Sequence, residues 1–171
     1  LDLRVNHEAR RATGLLMLLI FSTVFASQCV SVAPQASADP LAIQPYLLQL
    51  TNEARVKAGR PALQVSAGLR HIARGWSAAM ARRDELAHNP RRVQQVERRV
   101  TTRWVHLAEN VGYAIDSDAS ARELAGRIFA LLMDSPGHRA NILGEFDRTG
   151  IGIRVTHAGK LWVTQVFMKR G

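Results

Sequence analysis

The chain has 171 residues, with 23 Lys+Arg against 14 Asp+Glu, giving a formal net charge of +9 when the histidines are neutral. An apolar fraction of 47% with 22% charged residues excludes disorder throughout, and a single cysteine excludes a disulfide scaffold or a cysteine-rich zinc site. No apolar run reaches the roughly 18 residues of a membrane-spanning helix, which excludes a polytopic membrane protein.

The first segment reads as a targeting sequence. Arg4, Arg10 and Arg11 precede the uncharged run Leu15–Phe25, and a stretch of small residues then ends in Ala36-Ser37-Ala38 before Asp39-Pro40. A positive head, a short apolar stretch and an Ala-x-Ala site describe a secretory signal peptide covering 1–38. Cys29 follows Gln28, which is too large for a lipoprotein site, and Arg10-Arg11 alone is thin support for twin-arginine export. Cleavage after Ala38 removes three arginines, two acids and the only cysteine, so residues 39–171 carry +8. A domain of that size relies on its apolar core and needs no covalent staple.

Residues 39–171 then form one domain, with no repeat or low-complexity linker. Ile43, Leu47, Leu50 and Ala54 recur at helical spacing up to a stop at Gly59-Arg60-Pro61. Ser66 is the N-cap of a second helix carrying Leu69, Ile72, Ala73, Trp76 and Met80, expected to end near Asn89-Pro90. The basic segment 91–103, with Val93, Val96 and Val100, is either a short helix or an ordered loop. Glu109–Ile115 has room for a strand before the turn at Asp116-Ser117-Asp118. Leu124, Ile128, Leu131 and Leu132 mark another helix, stopped by Ser135-Pro136-Gly137. The period then changes: Ile151, Ile153 and Val155 alternate, as do Leu161, Val163, Gln165 and Phe167, around a hairpin loop at 156–160. Helices followed by an antiparallel hairpin point to an α+β domain.

The sequence holds no HExxH, P-loop, Gly-x-Ser-x-Gly or GxGxxG signature. Ser135 lies three residues before His138, but the simpler role for a turn serine is to bond nearby backbone. His88, Glu109 and His138 all fall at element ends, where side chains can converge on one cleft. Two imidazoles and one carboxylate suit a divalent ion such as Zn²⁺, with a position left open for water. Spacings of this size carry little specificity by themselves. His71, His106 and His157 have no such context and are read as structural or solvent-exposed.

These same segments carry a family resemblance. Ser-Pro-Gly-His-Arg-Ala-Asn-Ile-Leu at 135–143 resembles the signature of bacterial members of the CAP superfamily, the SCP-like group related to cysteine-rich secretory and plant pathogenesis-related proteins. Asn52-Glu53-x-Arg55, Leu86-x-His88-Asn89-Pro90, Glu109-Asn110-Val111-Gly112, Gly150-Ile151-Gly152-Ile153 and Trp162–Phe167 occur in that group's order, so the resemblance spans roughly 41 to 168. It implies an α–β–α sandwich with a central cleft lined by histidines and acids, and maps His88, His138 and Glu109 onto that cleft. Eukaryotic members have a second acid a few residues after the first histidine. Here the stretch reads Asn89-Pro90-Arg91-Arg92-Val93, so the full tetrad is incomplete. Leu132 stands where relatives place a bulky aromatic, and the cysteines of animal members are absent.

Three functions are compatible with these residues. The first is a secreted, monomeric binding module, outside the cell or at its envelope, whose cleft holds a divalent metal or a small ligand. The second is a metal-assisted hydrolase with Glu109 as general base. The third is an envelope protein acting through its basic surface on a polymer or lipid. No motif for specific nucleic-acid recognition accompanies the arginines.

Overall fold

The alternating C-terminal segments close into a hairpin, β3 (Arg148–Val155) and β4 (Lys160–Arg170), turned by Gly159 at φ 71°. In this computed structural model residues 39–115 and 119–171 are described; the signal segment with its Ala38 site, and the turn at 116–118, lie outside them. In chain order the other elements are α1 (Pro40–Lys57), β1 (Gln64–Val65), α2 (Ala67–Arg83), α3 (Arg92–Arg99), β2 (Trp104–Ile115), α4 (Ala121–Asp134) and α5 (Pro136–Leu143). The sheet order is β1-β3-β4-β2. β4 pairs antiparallel with both β3 and β2, and β1 pairs parallel with β3 through Gln64–Arg148 and Val65–Thr149.

Period-two alternation gives this sheet two apolar faces. On one, Ile151, Ile153, Leu161, Val163 and Phe167 pack with Ile43 and Leu47 of α1 and Leu124, Ile128 and Leu132 of α4. On the other, Val166 and Met168 meet Leu69, Ile72 and Ala73 of α2 and Val96 of α3, while Trp162 packs with Met80 and Val111. The result is the α–β–α sandwich that the resemblance implies. Each fully buried aliphatic side chain contributes about 1.5–3 kcal/mol, so these two faces supply the main favourable term.

Two details fix how the layers meet. Gly150 and Gly152 point at α2, and a Cβ on either would collide with the helix backbone, at Leu69–Arg70 and Ala73–Arg74 respectively. Without those side chains α2 lies directly on β3, and the Ser77 hydroxyl bonds both the Gly152 carbonyl and Thr164 Oγ1 at 2.9 Å. On the other side, the fully buried Arg55 of α1 donates to the carbonyls of Pro61, Ile142, Gly144 and Phe146. Four carbonyls take the place of a counter-ion and hold the C-terminus of α5. Burial, then the charge of Arg60, hold its pKa below the ordinary arginine value.

Several sequence expectations need correction. α2 stops at Arg83, well short of Asn89-Pro90, because Asp84 turns left-handed (φ 51°), its N–H returns to the Met80 carbonyl and its carboxylate meets Lys160 Nζ at 2.6 Å. Residues 91–103 resolve into α3 plus a short connection. β2 starts at Trp104 rather than Glu109, since β4 is long enough to pair with the added residues. Leu131 is exposed, because Leu124, Ile128 and Leu132 already fill the core stripe of α4. The Ser135-Pro136-Gly137 stop is also a start: Pro136 opens α5, where its missing N–H costs no helical bond, and Ser135 makes no side-chain cap bond. Ser66 does cap α2, and Ser120 forms a full capping box with Glu123 on α4.

Candidate functional site

The site forms along β2, an edge strand, where the loop after α2 and the first turns of α3 and α5 converge. Glu109 pairs with Val166 in the ladder and its side chain is fully buried. Three donors surround its Oε1: His88 Nδ1 at 2.9 Å, the Asn89 backbone N–H at 2.8 Å and Arg92 Nη1 at 3.4 Å. Glu109 Oε2 and Arg92 Nε are buried without partners among the described residues.

Each neighbour is placed by local structure. The early end of α2 leaves His88 on a loop, and Trp76 Nε1 fastens that loop by donating to the Ala87 carbonyl at 2.7 Å. Asn89 is buried; its Oδ1 accepts from the Arg91 N–H at 3.0 Å and its Nδ2 donates to Gln95 Oε1 at 2.9 Å, which sets the entry into α3. Arg92 therefore begins α3 facing Glu109. The adjacent Asn110 points across the strand to α5, where its Nδ2 donates to the His138 carbonyl at 3.1 Å. Asn141 Nδ2 donates in turn to Asn110 Oδ1 at 2.9 Å and to the Glu109 carbonyl at 3.4 Å. α5 is thus pinned to β2 at His138.

His138 is half-buried, and burial followed by the charge of His88 holds its imidazole below the ordinary histidine value. The two rings lie within electrostatic reach, and the neutral form of His138 is favoured. The His88 side chain is 60% exposed, so with Nδ1 on Glu109 its Nε2 is the face open to a ligand. A carboxylate behind one imidazole nitrogen is the usual way to aim the other at a metal. Among the described residues no group of three or more His, Cys, Asp or Glu stands ready as a metal cage. The imidazoles of His88 and His138 are the donors available to an ion here, and the Arg92 charge beside Glu109 works against tight cation binding.

His88 contacts Glu109, and His138 lies within electrostatic reach of His88. Sequence reading missed Asn89, Asn110 and Asn141, although all three lie inside the motif strings, where a buried asparagine signals a positioning role. It also missed Arg92, which stands in the stretch where the second acid was sought. His71, His106 and His157 are exposed and belong to none of this.

The family model for the cysteine-rich secretory proteins, CAP, matches residues 48–167. The chain belongs to that family. The matched part of this CAP domain contains no cysteine. Comparison with curated proteins gave no match. Among solved structures it is similar to an outer surface protein of Borrelia burgdorferi (TM-score 0.67, 16% identity, 80% of this chain and 99% of that one). It is also similar to a cysteine-rich secretory protein of Staphylococcus aureus (0.58, 22%, covering 77% and 39%) and to an extracellular SCP-domain protein of Bacillus anthracis (0.54, 24%, covering 75% and 40%). The CAP domain spans about two fifths of the last two proteins. These likenesses show the fold. No helix among the described residues is long and apolar enough to cross a membrane.

Proposed function

We propose that this CAP domain is an extracellular or envelope-associated binding module whose cleft takes a divalent ion such as zinc through His88 Nε2 and His138. The observation that carries the proposal is the 2.9 Å contact between His88 Nδ1 and the buried Glu109, which fixes the exposed ring with its other nitrogen outward. Glu109 acts as the group that aims His88, because its buried carboxylate lies on the Nδ1 side of the ring, away from the outward Nε2. Three donors on Oε1 suit a positioning carboxylate better than a general base. An outside location is supported by the basic-apolar-small order of residues 1–38 and by the surface and extracellular neighbours.

Zinc titration by calorimetry tests the proposal. Wild type should bind one ion with modest affinity, and His88→Ala/His138→Ala should abolish binding. Glu109→Gln should weaken it by roughly 10- to 100-fold, as loss of an orienting partner does. Equal affinities in wild type and the double variant would overturn the assignment.

A further inference from the structure

A second feature lies along the exposed face of α2, beside the loop that carries His88. Two recesses flank the helix, one of about 520 Å³ walled by Arg70, Arg74 and Arg154, the other of about 400 Å³ walled by Arg83, Arg91 and Arg99. They share His71 and Gly75 on the exposed face of α2, so they adjoin along the helix, and among the described residues neither is lined by an aspartate or glutamate. Among the described residues only Arg83 of these six has a carboxylate neighbour, Glu85 at 3.8 Å. Arg70 and Arg74 stand one helical turn apart, an arrangement that repels itself and lowers helix stability unless an anion lies between the charges.

We infer that these adjoining recesses bind a linear, base-free phosphodiester polymer of the polyol-phosphate kind. The chemistry points there in three steps. All six cations are arginines, whose planar forks match phosphate oxygens in pairs. Cations spread over two adjoining recesses suit a chain with repeating charge better than a single small anion. The recesses also lack what other polyanions require. Their one aromatic, Trp76, is half-buried beneath the Arg83 guanidinium, which sits 4.8 Å from the ring centre, so no stacking platform for bases is open. Among the described residues none of the exposed large apolar side chains lines them, so these residues offer nothing to insert into a bilayer. The inference is independent of the metal proposal.

The probe is a synthetic poly(glycerol phosphate), with binding followed by calorimetry across a salt series. Wild type should bind, with affinity falling steeply as salt rises. Arg70→Gln/Arg74→Gln/Arg154→Gln should weaken binding by about tenfold or more and reduce the salt slope by roughly 2, since each lost phosphate contact contributes roughly 0.7 for a single-stranded polyanion. All three side chains are exposed, so folding should be retained. Lys57→Gln/Arg60→Gln/Arg122→Gln removes equal charge from the α1–α4 side and should change affinity less than about twofold. Equal losses in the two triple variants, or no wild-type binding at low salt, would overturn the inference. So would tighter binding of oligothymidylate, which would indicate a nucleic-acid groove. Binding to phosphatidylglycerol vesicles that persists at high salt would indicate apolar insertion and overturn it as well.

Discussion

Arg55 Nη1 donates to the carbonyl of Ile142 at 2.6 Å, joining the last turn of α1 to the end of the helix that carries His138. With Pro61, Gly144 and Phe146 also accepting, one side chain satisfies four carbonyls in a place where water does not reach Arg55. Arg55→Ala should cost at least about 3 kcal/mol, because those acceptors lose their donors together. Arg55→Lys keeps the charge without the fork and should still be clearly destabilised. Urea unfolding of both variants checks this; wild-type stability in Arg55→Ala would contradict it.

Gly152→Ala should be nearly as damaging by an opposite route. The added methyl meets the backbone of α2 at Ala73–Arg74, which cannot rotate aside, and also disturbs the Ser77 bond to the Gly152 carbonyl. A loss of about 1–3 kcal/mol, or failure to fold, is expected. Gly112→Ala is the comparison, since its Cβ would meet Val163 Cγ1 at 3.5 Å, an ordinary contact. Equal melting temperatures for the two variants would show that the close approach of α2 to β3 is dispensable.

Asp147 gives a sign to the acid limb of stability. Burial pushes its carboxyl up, but the Arg170 N–H, the Arg170 side chain and Arg148 outweigh this and hold it below the usual aspartate range. A depressed carboxylate stabilises the fold above its unfolded value of about 3.9, and that contribution fades as pH falls through the lower folded value. Asp147→Asn should therefore cost about 1 kcal/mol at neutral pH and progressively less in acid. Unfolding midpoints of wild type and variant at neutral pH and in the acid range measure the narrowing gap. A constant gap would refute it.

His138 is also held low, but by a penalty on its charged form rather than by partners that favour the charge. Its imidazole is held down, first by burial and then by His88, so the folded chain resists its protonation. The associated stability is present above the unfolded value of about 6.5 and is lost as pH drops through the folded value. An NMR titration should give His138 a midpoint below that of a free imidazole. His88→Ala should raise the midpoint in part, leaving the larger burial effect. No change in the variant would mean that the two rings do not sense each other.

Features set by near neighbours were legible in the sequence. Ser66 caps α2 because its hydroxyl needs only Leu69 N–H three residues on, and β3 and β4 declare themselves by strict alternation. The left-handed stop at Asp84 was not legible, since the lysine that fixes its side chain lies 76 residues away. β1 was missed for a similar reason: two residues make no pattern, and their pairing is chosen by Arg148 and Thr149. In the site, residue identity named His88, Glu109 and His138. The approach of Arg92 to Glu109 depends on the Asn89 turn that starts α3, which no spacing rule encodes.

The middle of the sheet is its last strand in sequence. Among the described residues β2 has no sheet partner but β4, and β3 has otherwise only the two-residue β1, so neither edge can zip up before residues 160–170 arrive. Such long-range pairing makes folding slow relative to a helical bundle of equal size. During synthesis the chain should therefore remain open, with its helices formed only in passing, until that final segment leaves the ribosome. A nascent chain ending at Lys160 would stay a substrate for chaperones, proteases and translocation channels, whereas one extended through Arg170 would close and escape all three.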